Sequence, residues 1–216
     1  MCGTFVLPDV EMTQSPIPRE EIEVFRQLGP VEVIFDVGAR TDTDYLAIHP
    51  EAEFHLFEPN PIFFEELANN VMNKGNVVAN RIGLGDKEGM IMYNDMLQAF
   101  EGGAQTLKGF MAFPVYTLDW YVEENGVKGI DFLKIDTEGY DLNVLKGGKK
   151  ALKNTKYIQY EHWDNDQAFH DLLGEEFDIE YIGYRNSLCL NKKLVPLNER
   201  ARILRFIREN DYRNLK

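Results

Sequence analysis

The chain has 216 residues, of which 44% are hydrophobic and 27% charged, and this balance excludes an intrinsically disordered protein. No apolar run reaches the length of a membrane span. The formal net charge of -13, from 23 basic and 36 acidic residues, disfavours a nucleic-acid partner or an anionic membrane surface, because either would be repelled.

The length suits one α/β domain with a substantial core. We expect residues 1–30 to form an arm and a helix, and residues 31–216 to form a single domain. Cys2 and Cys189 make neither a disulfide framework nor a metal-binding spacing. The first ten residues lack the basic region of a signal peptide, so a cytoplasmic location is the expectation.

The first elements in the chain are a helix over Pro18–Leu28, with acidic residues in its first turn, and a strand over Val31–Val37. The continuous Val-Ile-Phe run of that strand is typical of a parallel strand buried on both faces. Asp36 and Gly38 stand at its end. Gly38 lets the backbone approach a ligand closely, although a turn glycine is the simpler alternative.

A second strand over Phe54–Phe57 ends in Glu58-Pro59, and a helix follows over Phe63–Val71. An acid at the end of a second strand can accept hydrogen bonds from both ribose hydroxyls of an adenosine ligand. The same chemistry serves NAD, but the absence of G-x-G-x-x-G argues against a dinucleotide. A solvated loop acid is the alternative if Glu58 acts alone.

A third strand is predicted over Asn76–Leu84, followed by turn residues around Asp86. Asp86 is equally consistent with a turn residue and with an acceptor for an adenine amino group. Met90–Tyr93 has the pattern of an edge strand, and the glycine-rich residues 94–109 are interpreted as a substrate-side loop. A helix over Thr117–Asn125 follows, capped by Thr117 or Asp119.

A fourth strand over Ile130–Ile135 is followed by Asp136, Glu138 and Gly139, and then by a short helix. Ligands bind at the carboxyl ends of strands in open α/β sheets, so these acids fall where a site is expected. The alternative is that Asp136 only caps the helix and Glu138 only complements its dipole.

The last part of the chain predicts a fifth strand over Lys156–Tyr160, which ends in Glu161-His162. An antiparallel pair follows over Phe177–Gly183 and Ser187–Leu190. An amphipathic helix over Leu197–Ile207 closes the chain, and Leu197, Ala201, Leu204 and Ile207 are predicted to share its inner face.

Four segments together resemble one family: LKIDTEGYDLNVLKGG, VIFDVGA, FHLFEPNP and IQYEH. They are similar, in this order, to the FkbM-type methyltransferases, which use S-adenosylmethionine. The resemblance implies an α/β, Rossmann-like class I methyltransferase fold. Its sheet is expected to be mostly parallel, with seven strands, an antiparallel terminal strand and helices on both faces.

The resemblance also implies a cofactor site at the ends of the first three strands. Its expected residues are Asp36, Gly38, Ala39, Arg40, Asp42, Glu58, Pro59 and Asp86. The chain departs from the family at Arg40 and Asp42, where the usual pattern has Asn and a second Gly. Three possibilities are open for Asp42: it caps the following helix, it pairs with the cofactor's ammonium while Arg40 takes the carboxylate, or the site has lost affinity.

The candidate catalytic residues are Asp136, Glu138, Glu161 and His162. Methyl transfer needs alignment above all, and a hydroxyl acceptor benefits from a base such as His162. A structural histidine is the alternative. Some related O-methyltransferases bind Mg²⁺, and Asp136, Asp164 and Asn165 imitate that ligand set, but no metal is part of the predicted site.

The favoured function is S-adenosylmethionine-dependent O-methylation of a hydroxyl on a small molecule or glycan, with no nucleic-acid or membrane partner. The first alternative is a degenerate domain that binds an adenosine ligand or a protein partner without turnover. The second is an NAD-type oxidoreductase, which the absent glycine fingerprint weakens. The sequence indicates neither the acceptor nor the oligomeric state.

Overall fold

A computed structural model gives the fold and describes residues 19–93, 111–162, 166–183 and 185–210. The elements within these ranges are α1 Arg19–Phe25, β1 Val33–Val37, α2 Tyr45–Ile48, β2 Glu53–Phe57, α3 Pro61–Val71, β3 Val77–Asn80, β4 Gly83–Leu84, β5 Gly89–Tyr93, β6 Met111–Tyr116, α4 Leu118–Glu124, β7 Ile130–Ile135, α5 Asp141–Lys146, a 3₁₀ turn Ala151–Asn154, β8 Thr155–Glu161, α6 Asp166–Leu173, β9 Phe177–Tyr181, β10 Asn186–Asn191 and α7 Leu197–Glu209.

Seven of the strands form one sheet in the order β3-β2-β1-β7-β8-β10-β9. Strands β1, β2, β3, β7 and β8 pair in parallel, whereas β10 runs antiparallel to both β8 and β9. This confirms the predicted mostly parallel sheet with an antiparallel final strand. The strand order reverses between β1 and β7, and open α/β sheets bind ligands at such a reversal.

The two faces of the sheet bury different side chains, because successive residues of a strand point in opposite directions. Ile34 of β1 and Phe132 of β7 share one core with residues of α1, α2, α3 and α7. Phe35 and Leu133 share the other core with residues of α4, α5 and α6. Helices therefore cover both faces, as predicted. Within the described ranges, no helix has the length and apolar character required to cross a bilayer.

An aromatic cluster joins α1 to the centre of the sheet. The ring of Phe25 lies 4.5 Å from that of Tyr45 and 4.7 Å from that of Phe132, and the Tyr45 and Phe132 rings are 5.0 Å apart. These spacings suit tilted and edge-on aromatic contacts. Helix α1 is therefore anchored on the sheet through Phe25.

A buried polar contact between α1 and the sheet accompanies this cluster. The Glu21 carboxylate accepts hydrogen bonds from the amides of Gln159 on β8 and Asn186 on β10, the latter at 2.7 Å. Burial raises the pKa of Glu21 to about 7, partly offset by the charge of Lys134. The acid therefore docks most favourably in its neutral form.

The predicted third strand was wrong in its extent. Strand β3 ends at Asn80, and Gly83–Leu84 instead forms β4 in a separate three-stranded sheet of order β4-β6-β5. The Asn80 amide donates to the Leu56 carbonyl at 3.1 Å and to the Tyr121 hydroxyl at 3.0 Å, which closes the end of β3. The edge strand predicted over Met90–Tyr93 is confirmed as part of β5, whereas the interpretation of residues 94–109 lies outside the described residues.

The N-terminus of α4 distinguishes between the two residues predicted to cap it. Thr117 is the N-cap of α4, and its side chain accepts the Trp120 N–H at 3.1 Å, which confirms one of the two predicted caps. Asp119 instead reaches the distant backbone of Lys150 and Ala151, whose N–H groups it accepts at 2.9 and 2.8 Å.

The inner face predicted for the last helix was wrong at Leu197 and Ala201, which are exposed, and right at Leu204 and Ile207, which contact the core. Leu197 is 72% exposed, and the buried residues of α7 are Ile203 and Ile207. Arg200 and Arg208 pair with the carboxylates of Asp178 and Glu180 on β9. These ion pairs fix the rotation of α7 about its axis. The pattern of hydrophobic residues along α7 does not reveal them.

Replacement of Phe132 with Ala should destabilise the protein by about 3–5 kcal/mol, because it leaves a cavity at the centre of the aromatic cluster. Chemical denaturation would measure the loss. Met72→Ala is the control, because Met72 is 72% exposed and its truncation should change the free energy of unfolding by less than about 0.5 kcal/mol. A loss for Phe132→Ala as small as the control's would contradict the described packing.

The pKa of Glu21 generates a prediction about pH. A carboxyl group whose pKa is raised on folding contributes stability that is complete below its unfolded pKa and is lost as the pH rises through its folded pKa. Its raised pKa therefore costs wild type stability progressively between pH 4.5 and about pH 7. Glu21→Gln removes that loss, so its free energy of unfolding relative to wild type should rise over this interval, by on the order of 3 kcal/mol.

Denaturant unfolding of both proteins across this range measures the difference. Loss of a hydrogen bond in Glu21→Gln adds an offset that is independent of pH, so only the slope is diagnostic. Parallel pH profiles for the two proteins would show that Glu21 does not titrate differently on folding.

Candidate active site

The carboxyl ends of β1 and β7 meet in a close backbone contact. The Val37 carbonyl accepts the Asp136 N–H at 2.9 Å. Gly38 follows with a φ of +88°, and a Cβ atom at this position would lie 1.9 Å from the Asp136 carbonyl oxygen. The N–H groups of Gly38 and Ala39 both donate to the Phe57 carbonyl at the end of β2. Only glycine fits here, which gives the predicted glycine loop a steric cause.

A buried lysine lies beside this contact. Lys134 on β7 places its Nζ 3.3 Å from Asp36 Oδ1 and 3.4 Å from Asp136 Oδ2. Burial lowers the pKa of Lys134, but the two carboxylates outweigh it and hold the pKa well above its ordinary value. Lys134 therefore stays charged and keeps both acids together at the ends of their strands.

The two acids differ in exposure. Asp36 is buried, whereas the Asp136 side chain is 45% exposed and faces the open edge of the sheet. Asp36 Oδ1 has no hydrogen-bond partner among the described residues, although it lies within ionic distance of Lys134. A buried acceptor of this kind, next to an exposed acid, leaves hydrogen-bonding capacity facing the junction of β1 and β7.

Glu58 is turned into the protein and organises the neighbouring loop. Its Oε2 accepts the Arg40 N–H at 3.0 Å, and its Oε1 accepts the Asn60 N–H at 2.7 Å. Burial raises the pKa of Glu58 to about 7, against these two hydrogen bonds, which lower it. Each carboxylate oxygen accepts more than one hydrogen bond, so the acid retains capacity for a ligand while it holds the loop. Pro59, which follows, is half-buried.

The two departures from the family pattern are exposed. Arg40 has a φ of +52°, which is uncommon for a residue with a side chain, and its guanidinium lies 5.1 Å from the centre of the Phe63 ring. The Asp42 carboxylate accepts the N–H of Thr43 at 2.7 Å. Helix α2 begins only at Tyr45, with Asp44 at its N-cap, so Asp42 does not cap it.

Asp86 occupies an exposed turn after β4, in the smaller sheet. Its expected role depended on a third strand that ended beside the adenine, and β3 ends at Asn80 instead. A Cβ at the neighbouring Gly85 would lie 3.1 Å from the Tyr140 ring, so the turn does approach the loop after β7. The geometry favours a turn role for Asp86.

The loop after β7 is strained and anchored. Glu138 has a φ of +53° and Gly139 a φ of +92°. Asp141, in the first turn of α5, accepts the Thr137 N–H at 3.1 Å, the Thr137 hydroxyl at 2.7 Å and the Glu161 N–H at 3.0 Å. Strained residues persist where the surrounding structure holds them, and they concentrate at functional sites. Arg40 and Glu138 show this at the ends of neighbouring strands.

His162 lies beyond the end of β8 and belongs to a second group. Its backbone N–H donates to the Arg185 carbonyl at 2.8 Å, and its ring lies 5.3 Å from that of Tyr181. Burial lowers the pKa of His162, opposed by the charge of Asp166. Its Nε2 is buried and has no hydrogen-bond partner in the described part of the chain. The ring is therefore neutral near pH 7 with a free nitrogen.

Eight of the twelve predicted site residues fall into two groups, which do not include Asp42, Pro59, Asp86 and Glu138. The first surrounds the β1–β7 junction and contains Asp36, Gly38, Ala39, Arg40, Glu58 and Asp136. The second follows β8 and contains Glu161 and His162, linked to the first through Asp141.

Sequence reasoning missed the roles of Lys134, Asp141 and Glu21. The signal for Lys134 was present, because a lone charge inside an apolar strand requires buried partners. Asp141 and Glu21 had weaker signals. Acids in the first turn of a helix are common, and their distant partners on β8 and β10 follow only from the fold.

The magnesium alternative lies mostly outside the described residues, because they do not include Asp164 and Asn165. Within the described ranges, no group of three or more His, Cys, Asp or Glu side chains is arranged to hold a metal ion.

Comparison with known proteins finds relatives that are named as methyltransferases. Hexuronic acid methyltransferase AglP of Haloferax volcanii is 31% identical over 129 residues, which cover 59% of this chain and 54% of AglP. The chain therefore spans about half the length of that relative. The 2-O-methyltransferase NoeI of Sinorhizobium fredii is 23% identical over 176 residues, which cover 69% of this chain and 72% of NoeI.

Among solved structures, methyltransferase FkbM from Methylobacillus flagellatus aligns with a TM-score of 0.56 at 15% identity, over 74% of this chain and 43% of that one. At this identity the likeness concerns the fold. The family model of the methyltransferase FkbM domain matches residues 36–213, which include both groups of site residues. The chain belongs to the FkbM methyltransferase family.

Proposed function

We propose that the protein is an S-adenosylmethionine-dependent methyltransferase that acts on a hydroxyl group of a small molecule or glycan. The observation that carries this proposal is the junction of β1 and β7, where Gly38 packs on the Asp136 carbonyl and Lys134 holds Asp36 and Asp136 together. This junction lies at the reversal of strand order, where α/β folds bind their ligands.

The residues at the junction fit the proposed cofactor in charge. S-adenosylmethionine carries a sulfonium and an ammonium. At the junction, Asp36 and Asp136 lie on the buried Lys134, and the third acid, Glu58, holds the loop after β1. Asp36 Oδ1 makes an ionic contact with Lys134 but no hydrogen bond among the described residues, so it retains capacity for a further donor. Glu58, at the end of β2 with one oxygen on the loop after β1, is suited to the ribose hydroxyls.

When bound, S-adenosylmethionine would supply a methyl group on positively charged sulfur, which is already activated for displacement. The task of the protein is then to align the acceptor and remove its proton. Asp136 is half-exposed, lies 3.4 Å from the Lys134 ammonium and is positioned to hold a hydroxyl group at the end of β7. The free Nε2 of His162 is suited to take the proton.

The relatives support an acceptor of the sugar class. One is named for methylation of a hexuronic acid and the other for 2-O-methylation. Because the chain spans about half the length of the first, its own acceptor is a matter for experiment. The net charge of -13 argues against a nucleic-acid acceptor. A hexuronic acid with free hydroxyl groups is therefore the first acceptor to test.

Cofactor binding tests the proposal at the β1–β7 junction. At about 100 times its dissociation constant, S-adenosylmethionine should stabilise wild type by about 2.7 kcal/mol, measured from thermal or chemical unfolding. Gly38→Ala should abolish this gain, because its Cβ would collide with the Asp136 carbonyl oxygen.

Gly75→Ala is the matched control, because a Cβ there meets nothing within 4 Å, and it should retain the full gain. Equal stabilisation of all three proteins would place the cofactor elsewhere. Stabilisation without transfer to any acceptor would favour the binding-only alternative.

His162→Gln tests the base. Wild-type activity should rise with pH through the pKa of His162, which burial places below its ordinary value, and then stay constant. The variant should lose this dependence and about 100-fold in kcat.

Methyl transfer from radiolabelled S-adenosylmethionine to hexuronic acid oligosaccharides would measure both quantities. His49→Gln, at the end of α2, is the control and should keep the wild-type profile. An unchanged kcat and pH profile in His162→Gln would assign His162 a structural role.

A further inference from the structure

Asp141 bridges two neighbouring strands just beyond their last shared hydrogen bonds. The register of β7 and β8 ends at the pairing of Ile135 with Tyr160. Beyond it, the Asp141 carboxylate accepts the Thr137 N–H through Oδ2 and the Glu161 N–H through Oδ1. One side chain thus replaces the backbone ladder where the strands diverge.

The Asp141 carboxylate is buried, and both of its oxygens accept hydrogen bonds. Asp141 is 1% exposed, and the Thr137 hydroxyl supplies a third hydrogen bond to Oδ2 at 2.7 Å. A carboxylate that accepts backbone N–H groups with both oxygens fixes their separation more firmly than one mobile contact does. The position of Glu161 relative to Thr137 is therefore set by the length of one carboxylate.

The residues on either side of the bridge are those of the proposed reaction. Asp136 directly precedes Thr137, and His162 directly follows Glu161. We propose that Asp141 is a positioning residue, which sets the distance between the group that holds the acceptor at the end of β7 and the base that follows β8. This inference rests on the proposed function and assigns no contact between Asp141 and the substrate.

Asp141→Asn is the direct test. An asparagine keeps the shape but offers one acceptor oxygen, so its NH₂ group faces either the Thr137 or the Glu161 N–H and pushes it away. A displacement near 1 Å is enough to cost on the order of 100-fold in rate. We expect kcat to fall about 10- to 100-fold, with the KM for S-adenosylmethionine within about twofold of wild type, because the three hydrogen bonds of Asp141 go to Thr137 and Glu161 and not to the loop after β1.

The chain offers a matched control in Asp119. This acid also lies in the first turn of a helix and also accepts distant backbone N–H groups, those of Lys150 and Ala151. It lines the same cavity as Ile130, the first residue of β7, at the end of the strand opposite Asp136. Asp119→Asn therefore makes the same chemical change away from the proposed site, and its kcat should match that of wild type.

A graded variant covers the case in which Asp141→Asn does not fold. Thr137→Val removes the hydroxyl hydrogen bond and leaves both backbone bonds to Asp141. Its kcat should fall about two- to threefold with an unchanged KM for S-adenosylmethionine. Hydrogen exchange should also accelerate at the amides of Thr137 and Glu161 in Asp141→Asn, and stay unchanged at Gly38.

The outcomes separate the two claims. No transfer by wild type to any hexuronic acid or other sugar acceptor would remove the proposed function, and the positioning role with it. Transfer by wild type with an undiminished kcat in Asp141→Asn, or in Thr137→Val where Asp141→Asn does not fold, would overturn the positioning role alone. An equal fall in Asp119→Asn would also overturn it, because the loss would then reflect general destabilisation.

Discussion

The backbone contact between the ends of β1 and β7 determines the arrangement of the rest of the site. The Val37 carbonyl accepts the Asp136 N–H, and Gly38 then packs directly on the Asp136 carbonyl. This closeness holds the loop after β1 against β7, where the strand order of the sheet reverses. A side chain at position 38 would separate the two strands, so the site depends on a glycine in a left-handed conformation.

The charges at this junction would be unfavourable without Lys134. A buried carboxylate such as Asp36 is costly to hold near a second acid, and one cation between Asp36 and Asp136 offsets their repulsion. The lysine leaves an excess of negative charge, to which Glu58 contributes when ionised. That excess complements a cationic ligand, whereas the same acids would repel a phosphate-rich one. The electrostatics of the fold and the proposed cofactor therefore agree.

The sequence predicted the central strands well because most of their residues are apolar and favour strands, and only a few charged residues interrupt them. Ile130–Ile135 was predicted with the observed bounds, and β1 within two residues. The prediction of the third strand was wrong beyond Asn80, where β3 ends. The Asn80 side chain donates a hydrogen bond to Tyr121 of a distant helix, and no local pattern indicates that contact.

The part of the site that directly follows the central strands was predictable, because those strands were. Asp136 and Gly38 stand directly after the central strands, so their placement follows from the strand order. Glu21 acts through partners 138 and 165 residues away, on β8 and β10, and Asp141 acts through the Glu161 N–H, 20 residues away on β8. No local pattern distinguishes them from ordinary acids in a first helical turn.

The central claim is that the junction of β1 and β7 binds the cofactor. A titration of ¹⁵N-labelled protein with S-adenosylhomocysteine, followed by NMR, tests it most directly. We predict saturable shifts that centre on the amides of Gly38, Arg40 and Asn60, all of which lie around the Glu58 carboxylate and the glycine loop. Saturable shifts that leave these amides unchanged and concentrate elsewhere, or no shifts at all, would contradict it.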